Sequence, residues 1–277
     1  MMNLDVHVEA LKHVLLDCGR LAVAVSGGVD SLTLASFAQR YCQGQVSMYH
    51  AVSPAVPPQA SQRVRELAAR EGWQLNVVDA GEFSNPDYLA NPVNRCFYCK
   101  SNLYGTLARY SDAQLVSGTN LDDLGEYRPG LQAADNFQVR HPYVEAGIDK
   151  QTLRHLSVWL GLGEVATLPA SPCLASRIET AIVIDPELLE LVHGIEQLVA
   201  ACVTAHTVRC RVRNSGLIIE LDESSFHQLS DSARQNLLDK ARSLLVKAGR
   251  NDSLELASYQ RGSAFIHTPV QKNCSVE

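Results

Sequence analysis

The sequence lacks any uninterrupted apolar run near the ~18 residues that a membrane-spanning helix requires, and its 277 residues contain no internal repeat or low-complexity tract. Its start, Met1-Met2-Asn3-Leu4-Asp5, has no cationic stretch followed by an apolar core. A secretory leader is therefore not expected, the cytoplasm is the expected location, and a membrane is not an expected partner. A basic excess is also missing: 24 Lys and Arg stand against 30 Asp and Glu, a formal net charge of −6. That balance disfavours a protein that coats nucleic acid, because neutralising phosphates takes a positive surface. What is present is an ordinary folded composition, 46% hydrophobic and 19% charged. The length suffices for one sizeable core, or for one core with a smaller second domain. Eight cysteines without a leader point to thiols or metal ligands rather than disulfides.

The apolar periodicity predicts an N-terminal helix over 4–18, with Leu4, Val8, Leu11 and Leu15 on one face. Leu21 to Val25 is a short continuous apolar run, as in a strand buried on both sides. Alternating helical and strand segments follow: a helix from Ser31, a strand over 46–52, a helix over 61–71, a strand over 74–78 and another from Leu115. That alternation implies an α/β fold with a doubly wound parallel sheet. After about residue 180 the pattern changes. Pro186 opens a helix, Val208 to Arg213 alternates strictly, and Asn214-Ser215-Gly216 turns into Leu217 to Leu221 as a hairpin. A helix over 232–248 and a strand near 254–257 complete a smaller α+β unit. The expected organisation is a first domain over 1–180, a second over 181–268, and a tail over 269–277.

Ser26-Gly27-Gly28-Val29-Asp30-Ser31 lies between the buried strand and the next helix. Glycines there let backbone N–H groups approach a phosphate closely, and the helix start adds favourable potential. Ser26 and Ser31 add hydroxyl donors. Asp30 repels phosphate unless Mg2+ bridges the two. No Gly-Lys-Ser/Thr follows, so this is not a Walker A loop. The bland reading is a capped helix with a glycine turn. The functional one is an ATP site lined by Ser26, Gly27, Gly28, Val29, Asp30 and Ser31, and the hexapeptide resembles the signature of the PP-loop ATP pyrophosphatases. Gly118-Thr119-Asn120-Leu121-Asp122-Asp123 follows a later strand, where α/β ligands bind at strand carboxyl ends. Gly118 and Asp123 are the expected nucleotide contacts from that segment.

Cys96-Phe97-Tyr98-Cys99 is a C-x-x-C pair, and Cys173 stands in Ser-Pro-Cys-Leu-Ala-Ser-Arg. The pair alone suits a redox couple, half a zinc site or two packed thiols. Three thiolates can hold a four-iron four-sulfur cluster with one open iron, or zinc with a solvent ligand. Lys100 beside Cys99 would favour the thiolate. Cys18, Cys42 and Cys202 read as packed small hydrophobes, Cys210 as a core residue and Cys274 as part of the tail. His50, His141 and His155 carry no functional expectation.

Taken together, these blocks resemble the ATP-dependent sacrificial sulfur transferases of nickel-pincer cofactor biosynthesis. The matching stretches are Ser26 to Ser31, Asn91-Pro92, Arg95 to Lys100, Gly118 to Asp123, Tyr127 to Gly130, Cys173 to Ile178, Val208 to Arg213 and Tyr259 to Ser263. The resemblance implies adenylation of a carboxylate of pyridinium-3,5-biscarboxylic acid mononucleotide, then displacement of AMP by sulfur. It implies ATP, Mg2+ and catalytic roles for Asp30, Cys96, Cys99 and Cys173. Family members with only the third cysteine give up its sulfur. The three-cysteine form here implies a renewable supply through a 4Fe-4S cluster, with zinc as the alternative metal.

Arg209, Arg211 and Arg213 share one face of their strand by period-two alternation. Three adjacent like charges need an anion, nearby carboxylates or open solvent. The resemblance implies substrate-phosphate contacts at Arg209 and Arg211, with Glu220 balancing them or positioning the substrate. Glu126, Arg177 and Arg261 are lesser candidates, and the family's habit implies a homo-oligomer. Two other readings stand beside this one: a tRNA-thiolating PP-loop enzyme, against which the acidic balance and the lack of an RNA-binding appendage count, and an ATP- or metal-binding module without catalysis.

Overall fold

The computed structural model of the protein describes residues 4–42, 44–125, 129–260 and 262–264. Glu126, Tyr127, Arg128, Arg261, Cys274 and the tail over 269–277 lie outside these residues. The fold is mixed α/β and divides into two compact units: one holds 1–88 and 94–173, the other 89–93 and 174–277.

The first unit is built on a parallel sheet of β1 (Leu21–Ala24), β2 (Val46–Ala51), β3 (Leu75–Val78) and β4 (Gln114–Val116), in the order β3-β2-β1-β4. Its helices are α1 (Leu4–Asp17), α2 (Val29–Tyr41), α3 (Pro58–Glu71), α4 (Pro86–Leu89), α5 (Arg95–Tyr110), α6 (Pro129–Asn136), α7 (Pro142–Glu145), α8 (Lys150–Trp159) and α9 (Gly163–Ala166); the last residue of α4 passes into the second unit. β1 is central, and Leu21, Ala22 and Val23 are at most 1% exposed, so the apolar run does predict a strand covered on both faces. α1 packs through Val8, Leu11 and Leu15, the stripe its spacing predicts. α2 is buried all along from Val29 to Ala38 except at Asp30, its hydroxyl and alanine positions being small enough to sit against neighbouring elements. The strand order reverses beside β1: β2 and β3 extend to one side and β4 lies on the other. In open α/β sheets that reversal opens a crevice at the strand carboxyl ends. Here the crevice is flanked by the segments after β1 and β4.

In the second unit, β5 (Val208–Arg213) and β6 (Gly216–Leu221) form the predicted antiparallel hairpin, and β7 (Leu254–Ser258) pairs parallel to β6. α10 (Pro186–Cys202), α11 (Glu223–Gln228) and α12 (Asp231–Lys247) accompany this sheet, with α10 against β5 and α12 against β7. Asp185 caps α10 through the Glu187 N–H, and Pro186 occupies its first turn, where a missing N–H costs nothing. Gly216 has φ +128°, and a methyl there would meet the Ser253 carbonyl oxygen at 2.7 Å, so the turn requires glycine.

Candidate functional site

The hexapeptide forms a tight strand-to-helix turn. Gly28 is the N-cap of α2 and makes no side-chain cap bond, so the first amides of the helix are left facing outward. Ser31 closes the turn: its Oγ accepts from the Ser26 N–H at 3.0 Å, donates to the Gly28 carbonyl at 3.2 Å, and lies 3.1 Å from Ser26 Oγ. Gly27 has φ +84°, and a Cβ there would stand 2.6 Å from the Ala60 carbonyl oxygen at the head of α3. Arg63, one turn further along α3, donates from Nε to the Gly27 carbonyl at 3.1 Å. The loop is therefore fixed on both sides before any ligand arrives.

The segment after β4 reaches the same place. A Cβ on Gly118 would lie 2.9 Å from both the Asp30 carbonyl carbon and the Ser31 nitrogen, so only glycine lets the two loops touch. Asn120 donates from Nδ2 to Asp30 Oδ1 at 3.3 Å, and the Asp123 carboxylate accepts from the Asn120 N–H at 3.1 Å. Tyr143 donates its hydroxyl to the Asp30 carbonyl at 3.1 Å. Lys150, the first residue of α8, places Nζ 2.6 and 2.7 Å from the two Asp30 oxygens. Its backbone N–H donates to Asp122 Oδ2 at 3.0 Å. Thus the structure brings Ser26 to Ser31 together with Gly118 and Asp123 at the sheet's reversal point, and it adds Arg63, Asn120 and Lys150, which sequence reasoning missed.

Below the loop, His50 is fully buried on β2, within the strand expected over 46–52. Its Nδ1 lies 2.8 Å from the Val25 carbonyl, so Nδ1–H donates there; Nε2 then accepts from Ser61 Oγ at 2.8 Å. Burial pushes its pKa below the ordinary histidine value. His141 sets its Nδ1 2.9 Å from Ser117 Oγ, itself 3.1 Å from Thr119 Oγ1.

The cysteines belong to the same unit. Cys96 and Cys99 occupy the first turn of α5 and are part-buried, whereas Cys173 is exposed. Burial pushes the Cys99 thiol up to about 12, opposed by the Lys100 charge and reinforced by Cys173, Glu82 and Cys96. That mutual influence puts the three sulfurs in one neighbourhood. As expected, the Lys100 ammonium lowers the Cys99 pKa, but desolvation is the larger influence and the net direction is upward. The Lys100 ammonium sits 5.6 Å from the Tyr104 ring centroid, and a methyl at Gly130 would come within 3.0 Å of its Cγ. Glu82 is 5% exposed, and its Oε2 has no hydrogen-bond partner among the described residues. Among those residues, no three His, Cys, Asp or Glu side chains are gathered as a metal centre. Cys42 and Cys210 are buried as expected; Cys202 is exposed, with Lys240 Nζ 3.5 Å from its sulfur, because it closes the C-terminus of α10.

In the second unit the arginine strand is paired internally. Arg211, 4% exposed, donates from Nε to Glu220 Oε2 at 2.9 Å and from Nη1 to the Ser176 carbonyl at 3.0 Å. Arg213 reaches Glu220 Oε1 at 3.6 Å and Glu179 at 3.4 Å. Arg177 makes a two-pronged bond with Glu196, whose Oε1 also accepts the Cys210 N–H. Arg209 donates to the Val208 carbonyl at 2.7 Å, and its pKa is lowered by burial and by the positive charges of Arg177 and Arg211, with Glu196 and Tyr259 opposing.

A mixed α/β protein with a glycine–serine loop at the reversal point of a parallel sheet is the class this geometry defines. No protein-family model matches the chain. It is 33% identical over 268 residues to the uncharacterised protein slr1717 of Synechocystis sp., covering 94% of this chain and 97% of that one, and it belongs to the same family. It is 24% identical over 208 residues to the uncharacterised protein MJ0830 of Methanocaldococcus jannaschii, covering 74% of this chain and 78% of that protein. A more distant relative, 26% identical over 229 residues (81% of this chain and 82% of the relative), is the pyridinium-3,5-bisthiocarboxylic acid mononucleotide synthase of Lactiplantibacillus plantarum. Among the described residues no helix is long and apolar enough to cross a membrane.

Proposed function

We propose that this chain is a PP-loop enzyme that uses ATP to activate a carboxylate of pyridinium-3,5-biscarboxylic acid mononucleotide and converts it to a thiocarboxylate. The observation that carries the reading is the convergence of Ser26–Ser31 and Gly118–Asp123 at the reversal point of the sheet, with Asp30 between them. The synthase of L. plantarum supplies the reaction class.

In this reading the outward amides after Gly27 receive the β- and γ-phosphates, and Asp30 shares the Mg2+ that screens them. The substrate carboxylate oxygen attacks the α-phosphorus and pyrophosphate leaves. A sulfur nucleophile then attacks the acyl carbon, and AMP departs with the C–O bond's electron pair, which leaves a thiocarboxylate. Cys96, Cys99 and Cys173 would hold a 4Fe-4S cluster through three thiolates. The donor set suits the cluster in softness and number, although the sulfurs are not drawn into ligating geometry here. When bound, the cluster would offer sulfide at its open iron; zinc is the other occupant with matching donors. Cys99, whose thiol burial pushes up to about 12, would give up its proton on binding the metal, which itself favours the thiolate. Arg209 and Arg211, with Glu220, are the proposed contacts for the substrate phosphate, the molecule acting in the cytoplasm as a homo-oligomer.

The test is pyrophosphate release and product mass after anaerobic purification with iron, sulfide and zinc analysis. The expected result is pyrophosphate formed with the pyridinium mononucleotide but not with tRNA, a product heavier than the substrate by about 16 Da for each oxygen replaced by sulfur, and loss of metal in Cys96→Ala. Pyrophosphate with tRNA alone sinks the substrate assignment. No pyrophosphate with either, while ATP still binds, favours a binding module. Loss of one sulfur from Cys173 in a single turnover restores the sacrificial route.

A further inference from the structure

We propose that Lys150 is a built-in stand-in for the divalent cation of the nucleotide: its ammonium neutralises Asp30 in the empty site and moves onto the phosphates when the metal takes that carboxylate. The inference rests on the ATP reading above and adds a residue and a sequence of events to it.

A carboxylate at the head of a phosphate loop is a liability without a cation, because it repels the ligand the loop is shaped to bind. Lys150 removes that liability. Its Nζ is shared almost evenly between Asp30 Oδ1 and Oδ2, at 2.6 and 2.7 Å, and Asn120 Nδ2 supplies a further donor to Oδ1 at 3.3 Å. The pair is reached from the far end of the unit's sequence, 120 residues away. Both side chains keep about a third of their surface open, 35% for Lys150 and 30% for Asp30, so the bond is accessible to an incoming ion.

The two parts of Lys150 are held differently. Its backbone is fixed: the N–H donates to Asp122 in the second loop, and Asp149 caps the same helix through the Thr152 N–H. Among the described residues its side chain is hydrogen-bonded at the tip, to Asp30. A Mg2+ ion takes carboxylate oxygens at about 2.0–2.1 Å, and an ammonium cannot keep both of those oxygens at hydrogen-bonding distance beside it. The metal must evict Nζ. The evicted charge then swings about a fixed backbone, and the phosphates that accompany the metal are the nearest new anion. The exchange favours metal and nucleotide together: a bare divalent ion leaves the ammonium only solvent or the Asp122 carboxylate already bound to the Lys150 N–H, whereas the metal nucleotide brings phosphates as the acceptor.

Mn2+ serves as the probe, its binding followed by paramagnetic resonance and calorimetry with and without ATP, for the wild type, Lys150→Met, Lys150→Arg and Asp30→Asn. Lys150→Met is expected to bind Mn2+ alone roughly fivefold more tightly than wild type, because the competing ion pair is gone, while its KM for ATP rises roughly tenfold. Asp30→Asn is expected to lose Mn2+ binding. Lys150→Arg is expected to keep weak Mn2+ binding and recover most of the ATP affinity. Unchanged Mn2+ affinity in Lys150→Met, with ATP still bound by every variant, overturns the stand-in role and leaves the ATP reading intact. Failure of the wild type to bind ATP with Mn2+ overturns both.

Discussion

Gly27 and Gly28 are neighbours with opposite expected costs, and replacing each by alanine separates the loop's folding role from its binding role. At Gly27 the backbone has φ +84°, where an L side chain costs about 1–2 kcal/mol. The added methyl also meets Ala60 O at 2.6 Å and Ala60 C and Cβ at 3.0 Å, all belonging to the start of α3. Two of these three atoms are backbone, so relief requires moving a helix or the loop, at about 1–3 kcal/mol for such overpacking. The sum is about 3 kcal/mol, which for a chain of this size lowers the melting temperature by roughly 6–12 °C. At Gly28, φ is −89° and the nearest atom to a new Cβ is Ser26 Oγ at 3.8 Å, so the fold tolerates alanine with a change of about 0.5 kcal/mol or less. The same methyl projects from the N-cap, where a phosphate would approach the helix amides, so Gly28→Ala is expected to weaken ATP binding by about tenfold. Urea and thermal denaturation with ATP calorimetry measure both. A Gly27→Ala protein with wild-type stability would refute the packing argument, and a stable Gly28→Ala protein with undiminished ATP affinity would refute the phosphate position.

Two further outcomes follow from charges inside the fold. His50 is neutral in its buried site, its folded pKa lying below the unfolded value of about 6.5; the unfolded chain therefore binds the proton more readily, and the stability present above about pH 6.5 is lost as pH falls toward the folded value. Urea midpoints at pH 7.5 and 5.5 should drop for the wild type and drop less for His50→Asn; equal drops remove His50 from the account. Arg211→Met leaves Glu220 buried with Arg213 and Ser263 as its side-chain partners among the described residues, and is expected to destabilise the protein by about 3 kcal/mol, whereas Arg209→Met should cost under about 1 kcal/mol and instead raise KM for the phosphorylated substrate; a destabilised Arg209→Met protein with normal KM reverses that assignment.

The core of the first unit was readable because its signals are local. A five-residue apolar run, two glycines and a helix start state a strand, a turn and a cap within a dozen positions, and the structure realises them as β1, the loop and α2. Alternation over Val208–Arg213 likewise predicts a strand and Asn214-Ser215-Gly216 a turn. Pairing direction is different: nothing in Leu254–Ser258 says that it lies parallel to β6, since both directions present the same side-chain period. The burial of His50 was not legible for a related reason. A lone histidine in a strand pattern reads as polar punctuation, and only the Val25 carbonyl and Ser61 hydroxyl, supplied by two other elements, make its burial affordable.

The site shows the same division between local and assembled information. The residues of the loop are contiguous, but the groups that meet Asp30 come from three other places: Asn120 after β4, Tyr143 on α7 and Lys150 at the head of α8, with Arg63 holding the Gly27 carbonyl beside them. No spacing rule connects Lys150 to a motif 120 residues earlier. One signal did exist. Asp30 is a carboxylate placed where phosphates are expected, and an unscreened negative charge there demands a cation. In the proposed function Mg2+ meets that demand together with the nucleotide, and Lys150 meets it without one, since a lysine does not compete permanently for the ligand. The arginine strand carried the same kind of demand: three like charges on one face require counter-charge, and Glu220 and Glu179 provide it for Arg211 and Arg213. Arg209 differs from them: burial is the main cause that lowers its pKa, the positive charges of Arg177 and Arg211 add to it, and Glu196 and Tyr259 oppose. An anion is worth most where buried cations crowd together. In the proposed function Arg209 would therefore meet the substrate phosphate most directly, and Arg211 would reach it from a buried ion pair with Glu220 that also holds the strand in place.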